Sequence, residues 1–519
     1  LGDLAVDGTI ALTAHNASEN AGNATIENTK AVKLANSTVD GNLSVTAAAG
    51  NITDTGVLTV TGTSSFETEA TDADIKLDTT TNGFTGIVTV NTAGTAKLDD
   101  AEIHGGSTPL KIIASGRVGT LKLTTTGADI TDEGALVVTG ATTIDAGGAD
   151  VELNHGSSDL GGAVGASGRN ISLTHPTTIK LGDSTVTGTY TVTATTGNIT
   201  DSGDLTITNT DDLTTTLVTL VTSADGGDIT LNREGHTFAG KVKVTTNETG
   251  TNKDAHATID GGSSAGLEIE RGSEVQGDLT LRSGHANTIT DEGDSGVVTV
   301  DGNLTATTYA NNGSITLDEL AIDGTIGLNT HGTGNATVVN DNGLEFASST
   351  VGGDLHATAT IGNITQNSEA LAITGTTTLI PAASNASITL GTTSNAFTGA
   401  LIITTRDDDA NGTDGDVTIH GGTTALVLGA STIEGDLALT STATGAAGIT
   451  NTGALNIRGA TTVSASGVDV TLNSAANNFQ GAVAIDGLNV IVVDADNIML
   501  AASTVTENYT LTAGGLVED

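Results

Sequence analysis

One stretch, residues 184–203 (STVTGTYTVTATTGNITDSG), recurs along the chain and constrains the possible folds more than any other feature. Aligning its copies on the apolar residue of a Ser/Thr-Val-x-Gly element gives the anchors Val39, Val118, Val186, Val275, Val351, Ile433 and Val505. The spacings between them are 79, 68, 89, 76, 82 and 72 residues, so long and short repeats alternate. This indicates duplication of a two-repeat block and predicts a repeat architecture.

The repeat boundaries predict one continuous structure over residues 1–519. It comprises a partial repeat over 1–38, six full repeats over 39–117, 118–185, 186–274, 275–350, 351–432 and 433–504, and the start of a seventh over 505–519. Residues 3–13 match residues 319–329, so the first residues correspond to the later part of a repeat. Because the sequence also begins without Met, we expect it to be part of a longer protein.

Within a repeat, apolar residues alternate with polar ones, as at Tyr190 and Val192 or Leu205 and Ile207. The position four residues after the anchor accepts Leu or Tyr but nothing polar, which predicts a core position: Leu43, Tyr190, Leu279, Leu355, Leu437 and Tyr509. Short runs rich in Val, Ile and Thr, bounded by Gly, Asn, Asp or Ser, predict β-strands rather than helices. Two or three such strands would make a coil of roughly 20–25 residues, as in a β-helix repeat. Stacking at about 4.8 Å per coil then predicts an elongated β-solenoid rod on the order of 110 Å long.

An antiparallel sandwich is the main structural alternative, because its strands alternate in the same way. Dipeptides typical of hairpin turns do occur, for example Asp40-Gly41 and Asp301-Gly302. The irregular repeat length favours the solenoid, since insertions are easily placed in coil loops but would shift strand pairing in a sandwich.

Charge and composition exclude several functions. The net charge is −44, from 61 acidic and 17 basic residues, which argues against nucleic acid and anionic membranes as partners. No apolar run approaches the roughly 18 residues of a membrane span. Cys is absent, which excludes disulfides, thiol catalysis and Cys-based zinc sites. Aromatic residues make up 2%, so the core must be a thin one, filled by Val, Ile, Leu and Ala.

Several segments resemble the β-strand repeats of filamentous-haemagglutinin-like large exoproteins and related autotransporter-type adhesins of bacteria. They are GNITDTGVLTVTG (50–62), GADITDEGALVVTG (127–140), GNITDSGDLTITN (197–209), NGFTGIVTV (82–90) and NNFQGAVAI (477–485). The resemblance implies a single-stranded right-handed parallel β-helix, export across an outer membrane, and a role in adhesion or as a cell-surface fibre.

The most prominent repeated acids are Asp54, Asp132, Asp201 and Asp291, whose counterparts in the other full repeats are Gln366 and Asn451. An amide side chain cannot act as a general base, so a position that carries Asp in some repeats and Gln or Asn in others is not a catalytic base. A side chain that bonds local backbone at a turn is the better interpretation.

One residue column could form an exposed carbohydrate-stacking stripe or a buried core ladder: Phe84, Phe238, Phe397 and Phe479, with Leu160 in the second repeat. Since Leu replaces Phe there, we expect the ladder.

The segment DDDANGTDGD (407–416) is the best candidate metal site. Asp407, Asp409 and Asn411, followed by Gly412, reproduce the alternating oxygen ligands and glycine turn of a calcium loop, with Asp414 and Asp416 as further donors. Thr418 stands where such loops carry their final Glu. Calcium binding and a solvated acidic loop are the two alternatives, and no other cofactor is expected.

Histidines and glycosylation sequons give weaker signals. His104 and His420 occupy the same position of an Ile-His-Gly-Gly motif, where a third copy has Asp260, so a turn residue is expected rather than a metal ligand. Asn-x-Ser/Thr sequons occur at Asn36, Asn51, Asn198 and Asn363, and chance explains most of them in a chain so rich in Asn and Thr.

These observations predict a non-enzymatic, extracellular structural protein of a bacterial surface, a fibre or adhesin stalk whose partners are cell-surface or matrix components. A second hypothesis is a self-assembling subunit of a filament, sheath or surface layer, which would bind copies of itself. A third is a polysaccharide-degrading β-helix enzyme, which would need one unique cluster of acids beside Lys or Arg in a groove.

Overall fold

The computed structural model describes residues 1–15, 22–92, 99–208, 216–250, 254–284, 288–292, 295–406, 415–444, 448–465 and 467–519. Over these residues the chain contains β-strands and turns and no helix. It consists of two compact units, an N-terminal unit over Leu1–Ser264 and a C-terminal unit over Ala265–Asp519.

The strands of the N-terminal unit are mostly two to five residues long. They are Thr9–Ile10, Thr13–Ala14, Ala24–Asn28, Val32–Leu34, Ser37–Val39, Leu43–Ala47, Ile52–Asp54, Leu58–Val60, Ser64–Thr68, Ile75–Leu77, Gly83–Phe84, Val88–Thr92, Ala101–His104, Leu110–Val118, Leu121–Thr124, Ile130–Val138, Thr142–Asp145, Val151–Leu153, Asp159–Leu160, Ala163–Gly168, Ile171–His175, Ile179–Leu181, Ser184–Val186, Tyr190–Ala194, Ile199–Asp201, Leu205–Ile207, Thr216–Asp225, Ile229–Leu231, Thr237–Phe238, Lys241–Asn247 and Ala257–Asp260.

The strands of the C-terminal unit have similar lengths. They are Leu267–Glu270, Glu274–Val275, Leu279–Ser283, Ile289–Glu292, Val298–Val300, Leu304–Asn311, Ile315–Ile322, Thr325–His331, Ala336–Asn340, Leu344–Phe346, Ser349–Val351, Leu355–Ala359, Ile364–Gln366, Leu371–Ile373, Thr377–Pro381, Ile388–Leu390, Ala396–Phe397, Ala400–Ile403, Val417–His420, Leu426–Leu428, Ser431–Ile433, Leu437–Thr440, Ile449–Asn451, Leu455–Ile457, Thr461–Ser464, Val470–Leu472, Asn478–Phe479, Ala482–Asp486, Val490–Asp494, Ile498–Leu500, Tyr509–Ala513 and Val517–Glu518.

Three short strands make one coil, as residues 171–207 show. One coil contains Ile171–His175, Ile179–Leu181 and Ser184–Val186, and the next contains Tyr190–Ala194, Ile199–Asp201 and Leu205–Ile207. Each strand pairs in parallel with its counterpart one coil later: Ile171 with Tyr190, Ile179 with Ile199, and Ser184 with Leu205. Each unit is therefore a parallel β-solenoid, as the sequence predicts, and the antiparallel sandwich is wrong.

Alternation along each strand sends every second side chain into the coil. In Tyr190–Ala194, Tyr190, Val192 and Ala194 are fully buried, whereas the two threonines between them face outwards. The position that accepts Leu or Tyr is a core position in five copies, as predicted, since Tyr190, Leu43, Leu279, Leu355 and Leu437 are at most 1% exposed. In the last copy Tyr509 is 37% exposed. Each fully buried aliphatic side chain of this size contributes about 1.5–3 kcal/mol of transfer free energy, so a thin core can hold a coil.

Buried threonines close the corners of the coils. At the inward-facing ends of strands, Thr68, Thr222 and Thr246 donate their hydroxyl hydrogens to the carbonyl oxygens of Ala73, Gly227 and Ala255 across the corner. These bonds satisfy carbonyl groups that the parallel pairing leaves free. The polar Thr side chain is thereby accommodated inside an otherwise apolar coil.

Asn and Asp side chains connect the turns of successive coils. The Oδ1 atom of Asn51 accepts a hydrogen bond from the Asp74 N–H, Asp74 Oδ1 accepts one from the Asp100 N–H, and Asp100 Oδ1 accepts one from the Thr120 N–H. We call such a series a turn ladder. A second ladder runs through Asp129, Asp150 and Asn170, and a third through Asp278 and Asn303 in the C-terminal unit. Many of the acidic residues therefore act as acceptors between coils.

One inward-facing position carries a hydroxyl group without a partner in four repeats. Ser64, Thr142, Thr377 and Thr461 are about 1% exposed, and their hydroxyl oxygens have no hydrogen-bond partner in the part of the chain that the structure describes. Each lies between apolar residues of the coils before and after it, as Thr461 lies between Leu437 and Val483. The equivalent residue in the third repeat is Val218.

We predict that Thr461→Val raises the free energy of unfolding by about 1–2 kcal/mol, because it removes a buried hydroxyl group that has no hydrogen bond. Urea unfolding followed by circular dichroism measures the change. Val218→Thr is the matched reverse substitution and should lower stability by a similar amount. A stability loss in Thr461→Val would contradict the prediction.

Candidate functional site

The repeated acid position binds the backbone of the next coil. Asp132 Oδ1 and Oδ2 accept hydrogen bonds from the N–H groups of Asn154 and His155, at 2.9 and 3.0 Å. Asp54 accepts from Asp78 and Thr79 in the same way, at 3.1 and 3.3 Å. The expectation of a bond to backbone at a turn is therefore correct, but the expectation that this backbone is local is wrong, because the turn belongs to the following coil.

The other four copies of the position make the same contact. Their side-chain oxygens accept hydrogen bonds from main-chain N–H groups 22 to 31 residues further on, in these pairs: Asp201 with Asn232, Asp291 with Asp318 and Glu319, Gln366 with Thr392, and Asn451 with Asn473. Carboxylate and amide oxygens are interchangeable as acceptors, which explains why Asp, Gln and Asn share the position.

A second polar side chain completes the contact in five of the six copies, and the sequence analysis missed it. It lies two residues before the Phe/Leu column, and its members are Asn82, Ser158, His236, Asn395 and Asn477. Each contacts the acid or amide and also accepts a hydrogen bond from a leucine N–H of the preceding coil: Leu58, Leu136, Leu205, Leu371 and Leu455. We call this two-residue arrangement the clasp. Its signal in the sequence was the recurrence of Asn, Ser or His at that spacing.

The clasp of the third repeat is a buried His–Asp pair. His236 Nε2 lies 2.7 Å from Asp201 Oδ2, and the two side chains are 0% and 4% exposed. His236 Nδ1 accepts the Leu205 N–H at 3.0 Å, so the proton of the neutral ring belongs on Nε2, which donates to Asp201. Although the pair resembles the base and orienting acid of a catalytic site, both side chains are shielded from solvent.

The clasp of the fourth repeat lacks the second side chain. Leu320 lies opposite Val298, two residues before the Val300–Ile322 pair. Ser158 likewise lies two residues before the Val138–Leu160 pair in the second repeat, where it accepts the Leu136 N–H. Asp291 is 2% exposed and keeps the main-chain donors of Asp318 and Glu319, at 3.0 and 2.7 Å. Burial raises the pKa of the Asp291 carboxyl to about 6, and the hydrogen bonds from these two N–H groups oppose the shift.

The aromatic column belongs to the core. Phe84, Phe238, Phe397 and Phe479 are at most 2% exposed, and Leu160 is 4% exposed. Each pairs with an aliphatic residue of the preceding coil, as Phe84 does with Val60 and Phe479 with Ile457. The buried core interpretation is correct and a carbohydrate-stacking stripe is wrong. The four rings do not stack on one another, because each packs on an aliphatic residue one coil away, and Phe84 and Phe238 also contact the rings of Phe66 and His236.

His104 and His420 are turn residues, as expected. Nδ1 of each accepts the N–H of the glycine two residues later, at 3.0 Å, and Asp260 Oδ1 accepts from Gly262 in the third copy. Gly106 has a φ of 62°, and a Cβ there would lie 2.0 Å from the carbonyl oxygen of Asn82. The turn therefore requires glycine, because it packs directly against the clasp.

Four residues of the candidate calcium loop, Asp407, Asp409, Asn411 and Asp414, lie outside the described residues. Asp416 is described, and its Oδ1 accepts the Asp436 N–H at 2.8 Å in a turn ladder. Among the described residues no group of three or more His, Cys, Asp or Glu side chains has a geometry that could hold a metal ion. Calcium binding by this loop stays a prediction.

Calorimetric titration with Ca²⁺ tests that prediction. A site built from the loop should release or absorb heat in the parent protein and lose that heat in a variant carrying both Asp409→Ala and Asp414→Ala. Identical heats from the two proteins would eliminate the site.

The sequon asparagines use their side chains within the turns. The Oδ1 atoms of Asn36, Asn51, Asn198 and Asn363 accept hydrogen bonds from the N–H groups of Val57, Asp74, Asp228 and Ser387. The recurrence of Asn in these sequons thus has a structural cause, in addition to the abundance of Thr.

A shallow cleft of about 440 Å³ lies on the N-terminal unit. Four of its lining side chains are the carboxylates of Asp3, Glu27, Glu67 and Glu69. Glu67 Oε1 accepts a hydrogen bond from Asn91 Nδ2 at 2.9 Å. A groove with one sign of charge disfavours anionic ligands. In the described part of the chain, no helix has the length and apolar character needed to span a membrane.

Comparison with known proteins identifies the class. Residues 21–91, 94–167, 168–245, 333–404 and 414–486 each match a family described as repeats of unknown function (DUF5649). These matches cover more than half of the sequence, and the chain belongs to this family of repeat proteins. No curated protein and no solved structure matches the chain.

The clasp can be tested by substitution at His236. We predict that His236→Asn is tolerated, because Asn82, Asn395 and Asn477 perform the same role in other repeats. His236→Leu should lower the free energy of unfolding by about 2–4 kcal/mol, because it leaves the Asp201 carboxylate and the Leu205 N–H buried without this partner. Chemical unfolding of both variants measures the difference. Equal losses in the two would show that shape, rather than hydrogen bonding, decides the position.

Proposed function

We propose that this chain is a non-enzymatic, extracellular structural repeat protein that forms a long acidic fibre or adhesin stalk projecting from a bacterial cell. The observation that carries the proposal is the use of the recurrent polar residues. The repeated acids and amides and His236 bind the backbone of neighbouring coils, and His420 binds the backbone of its own turn. The polar side chains that recur from repeat to repeat thus stabilise the stack of coils.

The surface charge supports the same proposal. With a net charge of −44, copies of the protein repel one another in solution and stay apart unless cations intervene. A solenoid also separates its ends efficiently, since each coil advances the stack by about 4.8 Å. The partners we propose are cell-surface or matrix components, with no role for nucleic acid.

Particle length as a function of concentration tests the stalk against the assembling subunit. We predict by small-angle scattering a single maximum dimension on the order of 110 Å that does not change with protein concentration. Lengthening with concentration would favour a self-assembling filament, sheath or surface layer. A much shorter maximum dimension at every concentration would contradict both forms of the proposal.

Location and catalysis need separate tests. Antibody labelling of intact cells of the source organism should decorate their surface, and labelling only after lysis would contradict the extracellular proposal. Incubation with a panel of acidic polysaccharides should leave their viscosity unchanged. A loss of viscosity would instead support the polysaccharide-degrading alternative.

A further inference from the structure

The six clasps provide a comparison within one molecule, and the clasp of Asp291 differs from the other five. In each of those five, a polar side chain from the following coil contacts the acid or amide: Asn82, Ser158, His236, Asn395 and Asn477. At Asp291 the same register position holds Leu320, which is 1% exposed and has no polar atom to offer. Among the described residues, the Asp291 carboxylate therefore lies between two coils without the side-chain partner that its counterparts have.

The groups around Asp291 are mainly acidic. On its own strand the neighbour is Glu292, the preceding coil presents Glu270 and Arg271, and the following coil presents Asp318 and Glu319. Arg271 Nη2 donates to Asp318 Oδ1 at 2.8 Å, so its charge is shared with that carboxylate. The Asp318 carboxylate raises the pKa of Asp291 further, and Arg271 lowers it, but burial is the largest cause.

We propose that Asp291 is a proton-operated clasp: in mildly acidic solution its carboxyl takes up a proton, and the two coils that it joins, at residues 289–292 and 315–322, become more resistant to opening. At neutral pH the same clasp holds an incompletely compensated buried charge. The C-terminal unit thus contains a coil pair that is strengthened by acid, a property that goes beyond the structural role proposed above.

The direction of the effect follows from linkage. The pKa of Asp291 is about 6 in the folded protein, above the ordinary Asp value of 3.8. Between these two values the folded state holds a proton that the unfolded state releases, so stability rises as the pH falls through this window. A separation of about two pKa units corresponds to at most about a hundredfold change in the opening equilibrium of the coil pair.

The test is hydrogen exchange, read by mass spectrometry, of peptides that contain residues 289–292 and 315–322, between pH 7.5 and 4.5. The proteins are the parent and Asp291→Asn. Since the native clasp at Asn451 already uses an amide, the substitution is compatible with the fold. After correction for intrinsic exchange rates, the protection of the parent should rise from pH 7.5 towards pH 4.5, whereas that of Asp291→Asn should stay constant, whatever the cost of placing its Nδ2 group opposite the Glu319 N–H. Differences that stay constant over this range would overturn the proposal.

A native clasp and one further variant separate the proposal from a general effect of charge. In the clasp of Asp54, Asn82 Nδ2 donates to Asp54 Oδ2 at 2.6 Å, and peptides that contain residues 52–54 and 75–82 should show a smaller dependence on pH than those around Asp291. Leu320→Asn supplies the missing partner and should reduce the pH dependence while Asp291 stays in place. If the peptides around Asp54 show the same dependence as those around Asp291, the missing partner is not the cause and the proposal fails.

Discussion

The structure depends on one requirement: each coil must satisfy the backbone hydrogen-bonding groups of the next. Parallel pairing satisfies these groups along the strands. In the turns between strands, however, some N–H groups lie close to the core, where water has little access to them. The turn ladders and the clasps supply acceptors for these groups from side chains one coil earlier. A single bond contributes only about 0.5–1.5 kcal/mol, but it recurs at nearly every coil.

This requirement explains much of the acidic composition. Asp provides two acceptor oxygens on a short side chain, so a stack of turns accumulates Asp residues and brings their charges near one another. Some are compensated locally, as Asp150 is by two hydrogen bonds from Arg169, at 2.9 and 2.7 Å. These bonds lower the pKa of Asp150, so its contribution to stability is present at neutral pH and is lost as the pH falls through the lowered value. Asp291 has the opposite sign because burial, rather than a cation, dominates there.

Variation among the repeats then becomes informative about roles. At the clasp, the first position carries Asp, Gln or Asn, and its partner position carries Asn, Ser or His in five repeats. This variation is expected where hydrogen-bond geometry matters and proton transfer does not. At the aromatic column, Phe alternates with Leu because both fill the same space over an aliphatic residue. The acid or amide of the clasp recurs in all six full repeats, and its polar partner recurs in five of them.

Several features could be predicted from the sequence because they depend only on periodicity. Alternating Val, Ile and Leu in short runs predicts strands with one buried side. Irregular spacing of the anchors predicts a solenoid with insertions in its loops, and Leu or Tyr at Leu43 and Tyr190 predicts a core position. Two-residue alternation is a local property of a strand, so it can be recognised from the sequence without knowing which strands pair.

Only the tertiary structure decided which residues meet across coils. Asp201 and His236 are 35 residues apart in the sequence, and their contact depends on the number of residues inserted in the loops between them. The absence of a polar partner at Leu320, and with it the unusual environment of Asp291, is likewise invisible until the register is known. Repetition fixes what kind of coil the chain forms, whereas the lengths of its loops fix which side chains are placed one above the other.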